Sequence, residues 1–499
     1  MIQVSQVRNI VFGLIQIYEK MSVMTEVFIK TILFSGLLCN LACSMGGGID
    51  SDPFEDLPES SVENYRYSNK IRPSLYYSVE VGGETATVIP TKEHHICTFG
   101  CDGPVAVKVT YNADFINEAE ILPKSKDWRN VVSRESVTVV MSPGDRAVLE
   151  INGSEEHNLF LFANPIEKDK PSKDDPNVLY YEAGSVTDLA TLSLTSGQKL
   201  YVEGGAVVNT VLRALDAPDI KLMGCGIIDA RGIDARGIQF QRTDNLVIEN
   251  LILLNDINWS TFISESNNVL INNYKVVAVE NPQHKSGCEN DALDILGCQN
   301  VTVRGCFGYA HDDVFCVKSH KWNYKGEVKN VLFEDCIAWN YLSGNSLVVG
   351  AETNENISGV TYRNCCSIHS AGRGINSTLF RGGLSIHHCA GGHISDILFE
   401  NIVLEDCKEY GIHLDIRKSY VKDLGTGVVY SPGTCDGVTL KNVSLLKKAP
   451  CGNALMGYDD EHKIRGLVFD NVEQEGVKFT KDNIRSFFTT WSNVECMVR

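Results

Sequence analysis

Asn245-Leu246-Val247-Ile248-Glu249-Asn250-Leu251 opens a phrase that recurs down the chain to Gly466-Leu467-Val468-Phe469-Asp470-Asn471-Val472. Its eight copies start at Asn245, Asn268, Asn300, Asn330, Gly359, Asp396, Gly437 and Gly466. The second and fourth positions are always apolar, as in Leu246 and Ile248 or Val331 and Phe333, the period of a strand with one buried face. The sixth position is Asn250, Asn273, Gly305, Asp335, Asn364, Asn401, Asn442 or Asn471. Those residue types tolerate a left-handed backbone bend, so each strand runs into a sharp corner. The seventh position, which includes Leu251, Tyr274, Cys306, Cys336 and Cys365, points inward again. A unit this short cannot bury its own apolar face and must stack on its neighbours, which predicts an all-β chain built as a right-handed parallel β-helix. A propeller would need four strands per unit at even spacing, and the leucine-rich consensus is absent. The intervals run from 23 to 41 residues, as expected where insertions enter the loops of one face.

The chain has 499 residues, 43% of them apolar, enough for more than one domain. A formal charge of −18 excludes nucleic acid and an anionic membrane surface as partners. Residues 60–165 lack the repeat but alternate in short strands such as Val105-Ala106-Val107-Lys108-Val109, separated by turns at Gly82-Gly83 and Pro143-Gly144. A small N-terminal β-sandwich is expected there, then a charged, proline-bearing linker over 166–177, then the β-helix over 178–490. Residues 1–43 read as a cleaved signal: the apolar run from Val27 to Ala42 is too short to span a bilayer comfortably and ends in Leu41-Ala42-Cys43. The expectation is an exported lipoprotein of a bacterium, periplasmic or on the cell surface, lipidated on Cys43 and touching membrane only through that anchor. Of the seventeen cysteines, Cys306, Cys336 and Cys365 take equivalent inward positions, where a small apolar side chain stacks well. Pairing of Cys97 with Cys101 stays open. No cysteine-histidine spacing suggests a metal site.

Two acidic segments fall on consecutive coils just before a strand: Glu289-Asn290-Asp291-Ala292-Leu293-Asp294 and His311-Asp312-Asp313-Val314-Phe315. Coils lie about 4.8 Å apart, so Asp291 should stand one rung from Asp312 and Asp313. Three carboxylates gathered on a sheet repel one another, and the usual uses of such a cluster are proton transfer or cation binding. His311 and Lys318 are placed to touch a carboxylate or the substrate. Trp259 offers a ring for stacking on sugar. His413, Asp415 and Arg417 alternate on one strand face and are candidates for a distal subsite. Asp294 reads as a supporting carboxylate.

This pattern resembles the polygalacturonase family of β-helix glycoside hydrolases, in which Asn-Thr-Asp is followed one coil later by Asp-Asp; here Asp312 and Asp313 follow Asp291 by 21 and 22 residues. The resemblance implies that Asp312 or Asp313 protonates the glycosidic oxygen while the remaining carboxylates activate water for an inverting displacement, with no cofactor and a polysaccharide or oligosaccharide as substrate. The region is also similar to the dextranase and isopullulanase family, which shares the β-helix, the sandwich and an aspartate trio. Two departures stand out. The family's Gly-His-Gly is Gly344-Asn345-Ser346, which puts Asn345 where a histidine is usual, and its Arg-Ile-Lys, which grips a uronate, falls near Asn376-Ser377-Thr378. Arg373 and Arg381 lie close by as substitutes on a surface insertion. The departures favour a neutral or differently charged glycan. Two other readings stay open: a calcium-dependent polysaccharide lyase with the acids as ligands, and a non-catalytic glycan-binding β-helix, which would normally show aromatic rows.

Overall fold

A computed structural model describes residues 54–281, 290–370, 381–417 and 431–499. Cys43 and Arg373, and with them the export signal, lie outside the described residues. From Val178–Tyr181 to Val494–Val498 the chain winds a right-handed parallel β-helix in which each coil pairs with the next; among the described residues its sheet has thirty strands, of which the short Val477–Lys478 pairs antiparallel. The repeat sets the path. All eight starting residues, from Asn245 (φ 56°) to Gly466 (φ 60°), and all eight sixth-position residues, from Asn250 (φ 65°) to Asn471 (φ 55°), are left-handed. Each corner is thus a pair of bends with a short inward-packing strand between them, and L-residues other than Asn, Asp and Gly pay about 1 kcal/mol or more for that conformation.

The corners are also joined. Asn442 Nδ2 donates to Asn401 Oδ1 at 2.8 Å, Asn401 to Asn364 at 2.9 Å and Asn471 to Asn442 at 2.8 Å, each side chain donating to the coil before it. Inside, like stacks on like. Phe333, Tyr362 and Phe399 lie parallel with centroids 4.6 and 5.2 Å apart, and the thiols of Cys306, Cys336 and Cys365 are buried at the next corner. Cys97 and Cys101 are not bridged; both are free and buried.

Before the β-helix, strands from Val62–Asn64 to Leu159–Pro165 form a six-stranded and a five-stranded sheet enclosing a separate core that includes Val79, Phe99, Val107 and Leu161. This sandwich lies along the side of the β-helix: Ile89, Ile96, Phe160 and Phe162 share an apolar cluster with Ile227, Ile252, Val277, Phe307, Trp339 and Ile368, one from each of successive coils. Buried polar contacts also cross the seam. Lys275 Nζ donates to Asn164 Oδ1 at 2.5 Å, and burial pulls its ammonium down to about 7. His369 Nε2 meets Glu150 Oε1 at 2.8 Å.

Candidate active site

Strands β1 (Thr261–Ser264), β2 (Leu293–Leu296), β3 (Phe315–Lys318), β4 (Asn345–Ala351), β5 (Gly382–His388) and β6 (Tyr410–Ile416) stack in register as one sheet of the β-helix. Leu293, Phe315, Leu347, Leu384 and Ile412 form one inward row. By alternation the outward rows hold Asp294, Cys316, Val348, Ser385 and His413, and then Lys318, Gly350, His387 and Asp415. Just ahead of the strands the amide of Ala292 bonds the carbonyl of Asp313 and that of Val314 the carbonyl of Asn345, both at 2.8 Å, which lines up Asp291, Asp313 and Asn345 on three rungs.

Lys318 organises the carboxylates. Its ammonium, 2% exposed, donates to Asp291 Oδ2 at 2.7 Å and Asp294 Oδ1 at 2.6 Å, and stands 3.8 Å from Asp313 and 3.9 Å from Glu352. Burial works against that charge, but Asp291 and Asp294 outweigh it and hold the ammonium well above the usual lysine range. The Lys321 ammonium also pairs with Glu352, whose carboxyl stays below its ordinary value despite burial because two lysines face it. Five acids thus meet two ammonium groups, an excess of negative charge in a buried site. Burial, then Asp291 and Asp313, push Asp312 well above the carboxylate range. Burial raises Asp313, Lys318 and the Asn345 amide hold it back, and it settles at about 6. Asp294, fully buried beside Asp291, is raised as well. Asp312 is the most exposed of the four aspartates, and its Oδ1 accepts from the Asp313 amide at 2.9 Å.

Several residues sit elsewhere than the sequence suggested. Trp259, expected to offer its ring to sugar, is 7% exposed and covers the Lys318 ammonium at 4.0 Å, while its neighbour Trp322 carries the exposed ring at 41%. The expected partner of the carboxylates or sugar, His311, is buried and turned to the sandwich, where Nε2 meets Glu93 Oε2 at 2.8 Å. That ring, with the Tyr309 hydroxyl and the Glu280 amide, overrides burial and holds the Glu93 carboxyl at about 2. Arg381 is not a surface arginine: it is 2% exposed and ion-paired with Glu409 at 2.7 Å. His413, Asp415 and Arg417 stand three rungs along the sheet from Asp313 but are joined to it by side chains. Asp415 accepts from Arg417 Nε and, at 2.9 Å, bonds His387 Nδ1, and His387 Nε2 lies 3.0 Å from Asn345 Oδ1. Asn345 in turn donates to Asp313 Oδ1 at 2.8 Å.

His387, Glu352 and Trp322 escape the sequence reading. His387 is recognisable once Ser385-Ile386-His387 is laid over His413-Leu414-Asp415, but that register depends on coil lengths that vary. Among the described residues two groups bring ligand atoms within 4.8 Å of one another: His387, His413 and Asp415, and Glu155, His369 and Asp406. In both the carboxylates already face a protein cation, Arg417 or Lys408. In the aspartate cluster the place of a cation is taken by Lys318, which sets the structure against a calcium centre there.

Residues 227–490 match the family described as glycosyl hydrolases family 28. The chain belongs to that family. It is therefore a glycoside hydrolase, and the resemblance to polygalacturonase-like and dextranase-like β-helices holds. Among solved structures it is similar to Dex49A from Penicillium minioluteum, with 14% identity over 87% of this chain and 96% of that one and a TM-score of 0.63, a likeness of fold. An exopolygalacturonase from Thermotoga maritima matches at 15% identity over 60% of this chain and 84% of that one, with a TM-score of 0.46. No curated protein matches the chain.

Proposed function

We propose that this hydrolase cleaves a polysaccharide by an inverting displacement in which Asp312 protonates the glycosidic oxygen and Asp291 and Asp313 orient and deprotonate the attacking water. The observation that carries the reading is the gathering of Asp291, Asp294, Asp312 and Asp313 on adjacent rungs around one buried ammonium. Burial and the neighbouring carboxylates raise Asp312, which lies nearest solvent and so suits the role of proton donor. Asp291 and Asp313, lined up one rung apart, flank the place for a water. Without an Arg-Ile-Lys clamp the glycan is neutral or carries its charge elsewhere. The apolar run before Cys43 supports an exported lipoprotein; incorporation of labelled palmitate, lost in Cys43→Ser, tests it.

Incubation with neutral and acidic polysaccharides decides the activity. New reducing ends of inverted anomeric configuration are expected by NMR, reduced ~10²–10⁴-fold in Asp312→Asn with oligosaccharide binding kept. Retained configuration would sink the displacement scheme, and unsaturated products absorbing near 235 nm would make the protein a lyase.

A further inference from the structure

Asp313, Asn345, His387 and Asp415 form one hydrogen-bonded line across consecutive rungs, with separations of 2.8, 3.0 and 2.9 Å, and all four side chains are buried. The chemistry of its members restricts where protons can be. An ionised carboxylate only accepts, a side-chain amide offers a donor on one side and an acceptor on the other, and a neutral imidazole offers one of each. With the Asn345 NH₂ toward Asp313, the amide oxygen faces His387 Nε2 and the Asp415 carboxylate faces Nδ1. Two acceptors then flank the ring, and both nitrogens must carry hydrogen: His387 is an imidazolium. With the amide turned over, its NH₂ donates to a bare Nε2 and its oxygen faces Asp313, which must be the protonated partner. Both arrangements hold the same number of protons. Remove that proton, and whichever way the amide points, two acceptors oppose each other in a buried site, at a cost of about 1–3 kcal/mol.

We infer that Asp313 and His387 hold one proton between them and titrate as a unit, with the Asn345 amide as the coupling element and Asp415 as the anchor that makes the imidazolium possible. His387 is thereby a positioning residue. When it carries the proton, Asp313 is a free carboxylate able to take a proton from water; when it gives the proton up to solvent and Asp313 takes one, the base is silent. This meaning for catalysis rests on the role proposed for Asp313 above, whereas the shared proton itself does not.

The surroundings keep the two groups balanced. Asp313 is faced by Lys318 at 3.8 Å, by the Cys316 thiol at 3.7 Å, and by Asp291, Asp312 and Glu352. His387 is faced by the His413 ring, edge-on with centroids 4.8 Å apart, by Asp415, and by Arg417 beyond it. Burial lowers His387 and raises Asp313 to about 6, so that it works against a charge at either end of the pair. Gly350, at φ 120°, fills the rung between Lys318 and His387; a Cβ there would stand 2.0 Å from the His387 carbonyl.

The test needs no substrate. In the full-length protein labelled with ¹³C at aspartate carboxyls and ¹⁵N at histidine rings, Asp313 and His387 should report one common midpoint. Asn345→Leu should give each group a titration curve and midpoint of its own, because the amide that couples them is gone. Asp415→Asn should move the Asp313 midpoint upward, since the anchor of the imidazolium is gone; it also serves if the leucine variant does not fold. Independent curves in the wild type, or an Asp313 midpoint indifferent to Asp415→Asn, would overturn the inference. A shared midpoint in a protein that cleaves no glycan would leave the inference standing and remove the hydrolytic scheme, and in an active enzyme the acid limb of kcat/KM should follow the Asp313 midpoint in Asp415→Asn.

Discussion

At the scale of single residues, Lys318 decides whether the site can exist. Asp291 and Asp294 are buried against its ammonium, and removing one partner of such a group leaves uncompensated charge. Lys318→Met is expected to cost roughly 3–5 kcal/mol in a urea titration at neutral pH. The loss should shrink as pH falls, because protonated carboxyls need no counter-charge. A loss unchanged between pH 7 and 5 would show that Lys318 matters for packing alone. The carboxylates were legible in sequence because Asp291, Asp312 and Asp313 stand within three residues of the start of a strand, where local pattern gives the register. His387 was not, since its row is fixed by pairing across a coil of different length, and Trp259 could not be told from Trp322 without knowing which ring Lys318 occupies.

At the scale of the structural element, the corner is the unit. Asn442 has φ 52°, donates to Asn401 and accepts from Asn471. Asn442→Gly keeps the bend and loses the two bonds, at an expected cost of about 1 kcal/mol, whereas Asn442→Ala also strains the backbone and should cost about 2 kcal/mol. Equal urea midpoints for the two variants would show that the ladder, not the bend, sets stability. The bend residues and the inward rows were fully readable from the sequence, because both are periodic and local. The side-chain ladder was not read, although the recurrence of Asn at the sixth position holds its signal.

At the scale of the whole molecule, the sandwich neither caps an end nor hangs free; it lies along the coils, which no local pattern announces. Its seam contains Lys275, whose ammonium is pulled from an ordinary 10.5 to about 7 by burial. The sign follows from proton counting: between pH 7 and 10 the unfolded chain binds more protons, so this residue lets stability rise with pH, and below pH 7 the burial of its charge costs a few kcal/mol in full. Lys275→Met should therefore raise Tm most at pH 6, with the advantage fading toward pH 9. A gain independent of pH would mean that the lysine keeps its proton in the folded protein just as it does in the unfolded chain.

The sideways placement of the sandwich also bears on how such a protein changes over evolutionary time. Its apolar contacts reach successive coils from Val207 to Ile368, so it works as a splint across the very coils that bear the aspartates. Among the described residues, the coils from Thr434–Leu445 onward pair with their neighbours and take no part in that apolar cluster. A lineage can gain or lose a turn there by duplication or deletion, lengthening or shortening the cleft for a new polymer while the splinted coils keep the chemistry in place.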